Sequence, residues 1–122
     1  MKKKPGCAKV SEIATHWNVY DSTAREIIAT AGLVPVDAEG WNKYFWEDVW
    51  RFEGDLYVPY NAWRAFKEPL LKTPALPERD PKGRSPRTMQ RYIEQGKIPC
   101  IRLAPNIIRV RECIFDVVIH RF

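Results

Sequence analysis

Two stretches of the chain repeat one pattern, and this repeat limits the possible folds more than any other feature of the sequence. Residues 22–35 read STAREIIATAGLVP, and residues 87–99 read RTMQRYIEQGKIP. With one residue removed before the glycine, the apolar positions of both stretches fall at i, i+3 and i+4, the spacing of one face of an α-helix. The sequence therefore predicts two short amphipathic helices of the same kind.

Each predicted helix has a double stop signal. Gly32 and Gly96 supply the left-handed residue that commonly follows a helix, because glycine lacks the side chain that disfavours this conformation. Pro35 and Pro99 follow shortly after and prevent continuation. We therefore expect both helices to end at the glycine.

A hairpin is predicted after each proline. In the second copy, IRLAPNIIRVR places β-branched residues on both sides of an AlaProAsn turn, and in the first copy the turn falls in residues 37–40, DAEG. Residues 47–52 and 112–122 close the two copies, and their acidic starts favour helices. A strand is the alternative for 112–122, which is rich in Ile and Val.

A helix is also predicted ahead of the first copy, over residues 10–19. Ser11 is expected to cap it, and Ile13, Ala14 and Trp17 share one of its faces. With a turn over residues 18–21, it forms a helix-turn-helix with the helix that starts at Ser22.

The second copy departs from this plan. Residues 60–68 resemble a helix, but the Pro-rich stretch 69–86 separates them from the second repeat helix. Either this stretch is a flexible basic loop or the helix at 60–68 is not the partner of the repeat helix.

These segments together resemble the excisionase-type winged helices of the MerR superfamily, which phages and mobile elements use. The resemblance covers most of residues 10–52 and 84–118. It implies an α+β protein of two small winged helix-turn-helix units packed together. The expected organisation is a flexible basic N-terminus (1–9), a first unit (10–57) and a second unit (58–122).

The resemblance also implies a function. In this family the helix after the turn enters the major groove of double-stranded DNA, and the hairpin, called the wing, touches phosphate or the minor groove. Several copies self-associate along DNA and bend it for a site-specific recombinase (integrase). A recombination directionality factor is thus expected, with a transcriptional regulator of a phage or mobile element and a protein-interaction adaptor for DNA packaging or assembly as alternatives.

Charge is distributed unevenly along the chain. Residues 1–57 contain seven Lys and Arg against nine Asp and Glu, whereas residues 58–122 contain thirteen against six, which gives −2 and +7. A polyanionic partner is the simplest explanation for the basic second half.

The DNA-binding candidates follow from the predicted helices and wings. Burial of Met89, Tyr92 and Ile93 leaves the other positions of the second repeat helix facing outward, and basic residues precede this helix and alternate along the wing. The candidates in the second unit are Lys82, Arg84, Ser85, Arg87, Thr88, Gln90, Arg91, Arg102, Asn106, Arg109 and Arg111. In the first unit they are Ser22, Thr23, Arg25 and Lys43, and weaker binding is expected there because Glu26 stands where the second copy has Arg91.

Other classes of function find little support in the sequence. His16 and His120 stand in no metal or triad spacing, and zinc binding by Cys100, Cys113 and His120 would lack a fourth ligand, so we expect no enzyme, no metal and no cofactor. The odd number of cysteines predicts free thiols. The aromatic residues between 41 and 66 are interpreted as core that joins the two units, with base stacking as the alternative.

The expected location is the cytoplasm, in association with the nucleoid. No run approaches the roughly 18 apolar residues that a membrane span requires, and the basic first residues are followed by polar sequence, unlike a signal peptide.

Overall fold

The computed structural model describes residues 4–36 and 43–122. These residues form short helices and two small two-stranded antiparallel sheets, which confirms the α+β class. The chain divides into two compact units, here called the N-terminal unit (Met1–Glu68) and the C-terminal unit (Pro69–Phe122).

The N-terminal unit alternates short strands and helices. Its elements are β1 (Cys7–Lys9), α1 (Val10–Trp17), α2 (Asp21–Ala31), β2 (Lys43–Phe45), α3 (Trp46–Glu53), a 3₁₀ turn (Tyr60–Ala62) and α4 (Trp63–Lys67). The residues of β1 fall in the segment that the sequence assigned to a flexible N-terminus.

Helix α1 begins at Val10, the first residue of the predicted range, but it is capped differently. The Glu12 carboxylate accepts a hydrogen bond of 3.0 Å from the backbone N–H of Lys9, the residue before the helix. Ser11 therefore lies inside the first turn and is not the cap, which corrects the sequence interpretation. Asn18, with φ +59°, ends α1 and begins the tight turn into α2.

The strand before α1 pairs with the strand that follows α2. Ala8 stands opposite Tyr44 in the antiparallel β1–β2 pair, and both are buried. The backbone N–H of Val36 donates to the carbonyl of Lys43 at 2.8 Å. The predicted DAEG turn between them lies outside the described residues.

Three hydrogen bonds attach α4 to the N-terminal unit. A helix leaves its last carbonyl groups without partners, and here side chains of other elements donate to them. The Trp50 indole donates to the carbonyl of Phe66 at 3.1 Å, and His16 Nδ1 donates to those of Glu68 at 2.8 Å and Lys67 at 3.2 Å. Residues 58–68 therefore belong to the N-terminal unit, and the boundary lies after Glu68 instead of after residue 57.

His16 stands at the centre of a buried polar cluster. Its Nε2 lies 2.7 Å from Glu53 Oε2, which also accepts a hydrogen bond of 2.8 Å from the Trp17 indole. His16 is 1% exposed and Glu53 8% exposed. The histidine therefore has a structural role, linking α1, α3 and the end of α4.

The C-terminal unit also contains two consecutive helices, an antiparallel strand pair and a closing helix. It comprises a 3₁₀ turn (Thr73–Ala75), α5 (Leu76–Arg79), α6 (Pro86–Glu94), β3 (Ile101–Ala104), β4 (Ile107–Arg109), α7 (Glu112–Val118) and a 3₁₀ turn (Ile119–Arg121). An isolated bridge pairs Leu71 with Val110, just as Ala8 pairs with Tyr44 in the other unit. Residues 112–118 are helical, which decides between the two alternatives for the closing segment.

One apolar core holds the helices and the hairpin of the C-terminal unit together. It contains Leu76, Met89, Ile93, Ile98, Val110, Phe115 and Ile119, each at most 8% exposed. Leu76 comes from the Pro-rich stretch, which forms a 3₁₀ turn and a short helix. The flexible-loop interpretation of this stretch is therefore wrong, and α5 is the helix that precedes the repeat helix.

Candidate nucleic-acid interface

A carboxylate organises the turn that leads into α6. Asp80 is buried, and its two oxygens accept hydrogen bonds from the backbone N–H groups of Lys82 at 3.0 Å and Arg84 at 2.7 Å. Burial is the largest single effect and would raise the pKa of Asp80, but these hydrogen bonds together with the positive charges of Arg84 and Lys82 favour the ionised form and hold the pKa below its ordinary value. Gly83 completes the turn with φ +61°. The start of α6 is thus fixed relative to α5.

Ser85 caps α6. Its hydroxyl accepts a hydrogen bond of 3.2 Å from the backbone N–H of Thr88 and lies 3.0 Å from the Thr88 hydroxyl, and Pro86 occupies the first helical turn. Thr88 is half-buried and engaged at this cap. Both predicted candidates therefore take part in the cap of the helix.

The exposed face of α6 carries three polar side chains with little involvement in the fold. Arg87, Gln90 and Arg91 follow the i, i+3, i+4 spacing and are exposed, whereas Met89 and Ile93 on the opposite face are buried. Gln90 has one weak contact, 3.4 Å to Glu94. This face matches the predicted set except for Thr88.

Arg84 is used inside the unit, contrary to expectation. Its side chain is 14% exposed, its guanidinium carbon lies 5.6 Å from the centre of the Tyr92 ring, and it donates to the backbone carbonyl of Phe122. Lys82 also donates to this carbonyl, but its residue is exposed. Lys82 therefore remains a surface cation, and Arg84 does not.

The hairpin does not carry one continuous basic face. In the β3–β4 register, Arg102 stands opposite Ile108 and Arg109 stands opposite Ile101. Since opposed residues point to the same side of a sheet and neighbours to opposite sides, the two arginines lie on different faces. Arg102 is exposed. Arg109 shares the side of the buried Ile101, where burial lowers its pKa.

Two more wing candidates occupy different environments. Asn106 is exposed in the turn beside Pro105, whose carbonyl accepts a hydrogen bond of 2.9 Å from Arg102. Arg111 is only 4% exposed, directly before α7, so its prediction as a surface contact is wrong. The exposed polar groups of the hairpin tip are thus Arg102 and Asn106.

The candidates of the N-terminal unit have mixed surroundings. Ser22 and Arg25 are exposed on α2, Thr23 is half-buried, and Lys43 is exposed in β2. Glu26 is exposed next to Arg25, one turn after the start of the helix. This face therefore combines one cation with one carboxylate, whereas the exposed face of α6 carries two arginines beside Glu94, which lies 3.4 Å from Gln90.

Sequence reasoning missed two residues near α6. Lys97 is exposed, and its Nζ lies 5.2 Å from the centre of the Tyr92 ring. Lys97 lies between Gly96 and Pro99, the two residues that mark the end of the helix, and this position could have indicated an exposed cation next to α6. Asp80 was also overlooked, although AspProLysGly is a typical turn sequence.

A third basic residue of the unit is neutralised on the surface. Arg79 donates to Asp116 at 2.8 Å and to Glu112 at 3.0 Å, and the hydrogen bond to Asp116 raises the pKa of its guanidinium. Arg79 was not among the predicted DNA-binding residues, and its two ion pairs are consistent with leaving it out.

Within residues 4–36 and 43–122, no group of three His, Cys, Asp or Glu is arranged to hold a metal ion. Cys7, Cys100 and Cys113 are free thiols. No helix among these residues has the length and apolar character needed to cross a membrane.

Comparisons of the chain with protein-family models, curated proteins and solved structures give no match.

Proposed function

We propose that the protein binds double-stranded DNA in a sequence-specific manner through its C-terminal unit. In this proposal α5, the Asp80 turn and α6 form a helix-turn-helix, and the β3–β4 hairpin is its wing. Helix α6 enters the major groove, which is wide enough to admit a helix.

The exposed face of α6 carries this proposal. Arg87, Gln90 and Arg91 project from a helix whose other face is anchored in the core. Arginine pairs with the acceptors of guanine, and glutamine pairs with the donor and acceptor of adenine, so this set suits the reading of base edges. Because the helix start is fixed by Asp80 and Ser85, these side chains extend from a rigid support.

Phosphate contacts are assigned to other surface groups. Lys82 lies just before α6, and Arg102 and Asn106 lie at the tip of the hairpin. Residues 69–122 contain eleven Lys and Arg against five Asp and Glu, a net charge of +6 that attracts the DNA backbone.

The N-terminal unit is assigned at most a secondary contact with DNA. Asp21 and Glu26 are exposed on α2, and carboxylates repel phosphates. Arg25, Lys43, Ser22 and the half-buried Thr23 remain the groups through which a weaker contact would form.

The biological role proposed for this binding is that of an excisionase, a recombination directionality factor of a mobile element. Copies bound at adjacent sites would bend the DNA for an integrase. A transcriptional regulator would use the same α6 face, but it needs no bending. Circular-permutation gel shifts with the selected duplex distinguish the two roles, since a bend is expected only for the first.

The test is selection from a pool of random duplexes. We expect native protein to enrich one motif, and the Arg87→Ala/Arg91→Ala variant to enrich none. The matched control is Lys72→Ala/Arg121→Ala, which removes two exposed cations of the same unit outside the α6 sequence. Retention of the motif by the α6 variant would refute the proposed reading helix.

A further inference from the structure

Two arginines on the exposed face of α6 are available to a ligand. Arg87 and Arg91 are exposed, whereas Met89 and Ile93 on the opposite face are 1% and 8% exposed. Within residues 4–36 and 43–122, no carboxylate forms an ion pair with either guanidinium. Each arginine can therefore use its N–H donors on a partner.

The geometry of an α-helix fixes the spacing of the polar side chains on this face. Arg91 follows Arg87 by four residues, which places it about 6 Å further along the helix axis and about 40° around it. Gln90 lies about 4.5 Å along the axis from Arg87 and about 60° around it in the other direction. Helix α6 is continuous from Pro86 to Glu94, so this spacing applies to all three side chains.

The two ends of α6 limit the base contacts to these three side chains. At the start, the Ser85 hydroxyl caps the helix and lies 3.0 Å from the hydroxyl of the half-buried Thr88. At the end, the Glu94 carboxylate lies 3.4 Å from Gln90 Nε2 and repels phosphates. A helix-turn-helix protein presents the N-terminal residues of its second helix to the base edges, and the three side chains stand in that part of α6.

Two arginines in the groove require two guanines. A guanine presents N7 and O6 in the major groove, and one guanidinium pairs with both, so this base has no acceptor left for a second arginine. Base pairs are stacked about 3.4 Å apart along the DNA axis. For a helix that lies along the groove, a separation of about 6 Å matches base pairs two steps apart, at about 6.8 Å, better than neighbouring base pairs.

Gln90 matches the base pair between the two guanines. Its position about 4.5 Å along the axis from Arg87 is closer to the first base step than to the second. Glutamine pairs with adenine through its carbonyl oxygen and one N–H, and the contact with Glu94 leaves this oxygen and one N–H available. Because Gln90 and Arg91 lie about 100° apart around the helix, they face opposite strands.

We propose that α6 recognises a core of three base pairs, in which one A·T pair separates two G·C pairs. Arg87 binds the guanine of the first pair, Gln90 the adenine of the middle pair and Arg91 the guanine of the third pair. The adenine and the guanine bound by Arg91 lie on opposite strands. This inference rests on the DNA binding proposed for α6 and adds which bases are recognised and in which order.

Selection from random duplexes with single variants tests this order. We expect native protein to enrich the three-base-pair core. Arg87→Ala should lose the guanine at one end, Arg91→Ala the guanine at the other end, and Gln90→Ala only the middle preference. Alanine favours helices, so these variants keep α6. The matched control Lys72→Ala removes an exposed cation outside the α6 sequence and should enrich the same core as native protein.

The outcomes separate this inference from the proposed function. An enriched motif whose guanines are adjacent, or are separated by more than one base pair, would overturn the inference while DNA binding by α6 stands. Loss of the same base in Arg87→Ala and Arg91→Ala would also overturn it. Absence of any enriched motif with native protein would refute the proposed function, and this inference with it.

Modified duplexes test each pairing by itself. The base 7-deazaguanine has C–H in place of N7 and keeps Watson–Crick pairing, so it removes one of the two acceptors that an arginine uses. At the guanine assigned to Arg87, it should weaken binding of native protein about tenfold, have little further effect in Arg87→Ala and keep its full effect in Arg91→Ala. Equal effects of the modified base in the two variants would overturn the assignment.

Discussion

Replacing Asp80 by asparagine should destabilise the C-terminal unit at the start of α6. The carboxylate accepts two backbone N–H bonds, and hydrogen bonds to a charged group contribute about 1.5–3 kcal/mol each. Asparagine keeps one acceptor oxygen and turns an NH₂ group toward the other N–H donor. We therefore expect a loss of about 2 kcal/mol, which corresponds to a roughly thirty-fold higher population of the open form.

Hydrogen exchange measures this loss where it occurs. The five tryptophans all precede residue 69, so indole fluorescence follows the N-terminal unit, whereas exchange of the amides in residues 84–95 follows α6. The control is Asp116→Asn, which removes an exposed ion pair with Arg79 and should change protection by less than about fivefold. Unchanged protection in Asp80→Asn would refute the role assigned to the turn.

The pH dependence has a defined sign. The pKa of Asp80 lies below its ordinary value of 3.8 in the folded state, because the two hydrogen bonds and the positive charges of Arg84 and Lys82 together outweigh the opposing effect of burial. Its stabilisation is therefore present at neutral pH and is lost as the pH falls below about 3.8 through the folded pKa. The difference in stability between native protein and Asp80→Asn should shrink over that acid range. A constant difference down to the lowest pH would contradict this assignment.

Three further predictions concern both units. His16→Ala leaves the buried Glu53 carboxylate without its imidazole partner and should lower the free energy of unfolding of the N-terminal unit by about 3–5 kcal/mol. Indole fluorescence during denaturant unfolding measures this loss. An unchanged unfolding midpoint would contradict the structural role of His16. Gly96→Ala should lower the stability of the C-terminal unit by about 1–2 kcal/mol in the exchange assay, because a φ of +75° is unfavourable for alanine. The added methyl would meet no atom within 4 Å, so the backbone conformation alone causes this loss. A stabilised protein would show that this backbone conformation is not kept. Burial raises the pKa of the Cys113 thiol, so at pH 8 iodoacetamide should alkylate Cys113 more slowly than the exposed Cys100. The rate at Cys113 should increase with pH, and peptide mass spectrometry measures both rates. Equal rates at the two cysteines would refute this prediction.

Periodicity and helix stops were sufficient to predict much of the C-terminal unit. Gly32 and Gly96 have the left-handed conformation expected of helix ends, with φ +71° and +75°. Met89 and Ile93 are buried while Arg87 and Arg91 are exposed, because side chains four residues apart share a face of a helix whatever surrounds it.

Features that depend on tertiary structure were not predictable from local pattern. The boundary after Glu68 follows from hydrogen bonds that His16 and Trp50 donate across the fold, and no local signal in the sequence reveals them. Helix α5 was missed because prolines suggested a loop, although proline is tolerated in the first turn of a helix, where Pro77 stands.

The wing illustrates a second limit. Strict alternation along two strands predicted a shared basic face, but side-chain direction depends on the pairing register, which is irregular between Arg102 and Ala104. The long side chains of Arg84 and Arg111 also pack within the unit, and composition alone counts them as surface charge. The net charge of the C-terminal unit therefore overstates the charge available to DNA.

The affinity of native protein for its selected duplex and for a scrambled duplex, measured across salt concentrations, tests the central claim most directly. We predict at least about 10³-fold tighter binding to the selected duplex, a decline of log K with log salt, and a slope reduced by about 0.9 in Arg102→Ala. In Arg87→Ala/Arg91→Ala the two duplexes should bind with nearly equal affinity. Equal affinity for both duplexes in native protein, or binding independent of salt, would contradict sequence-specific DNA recognition by α6.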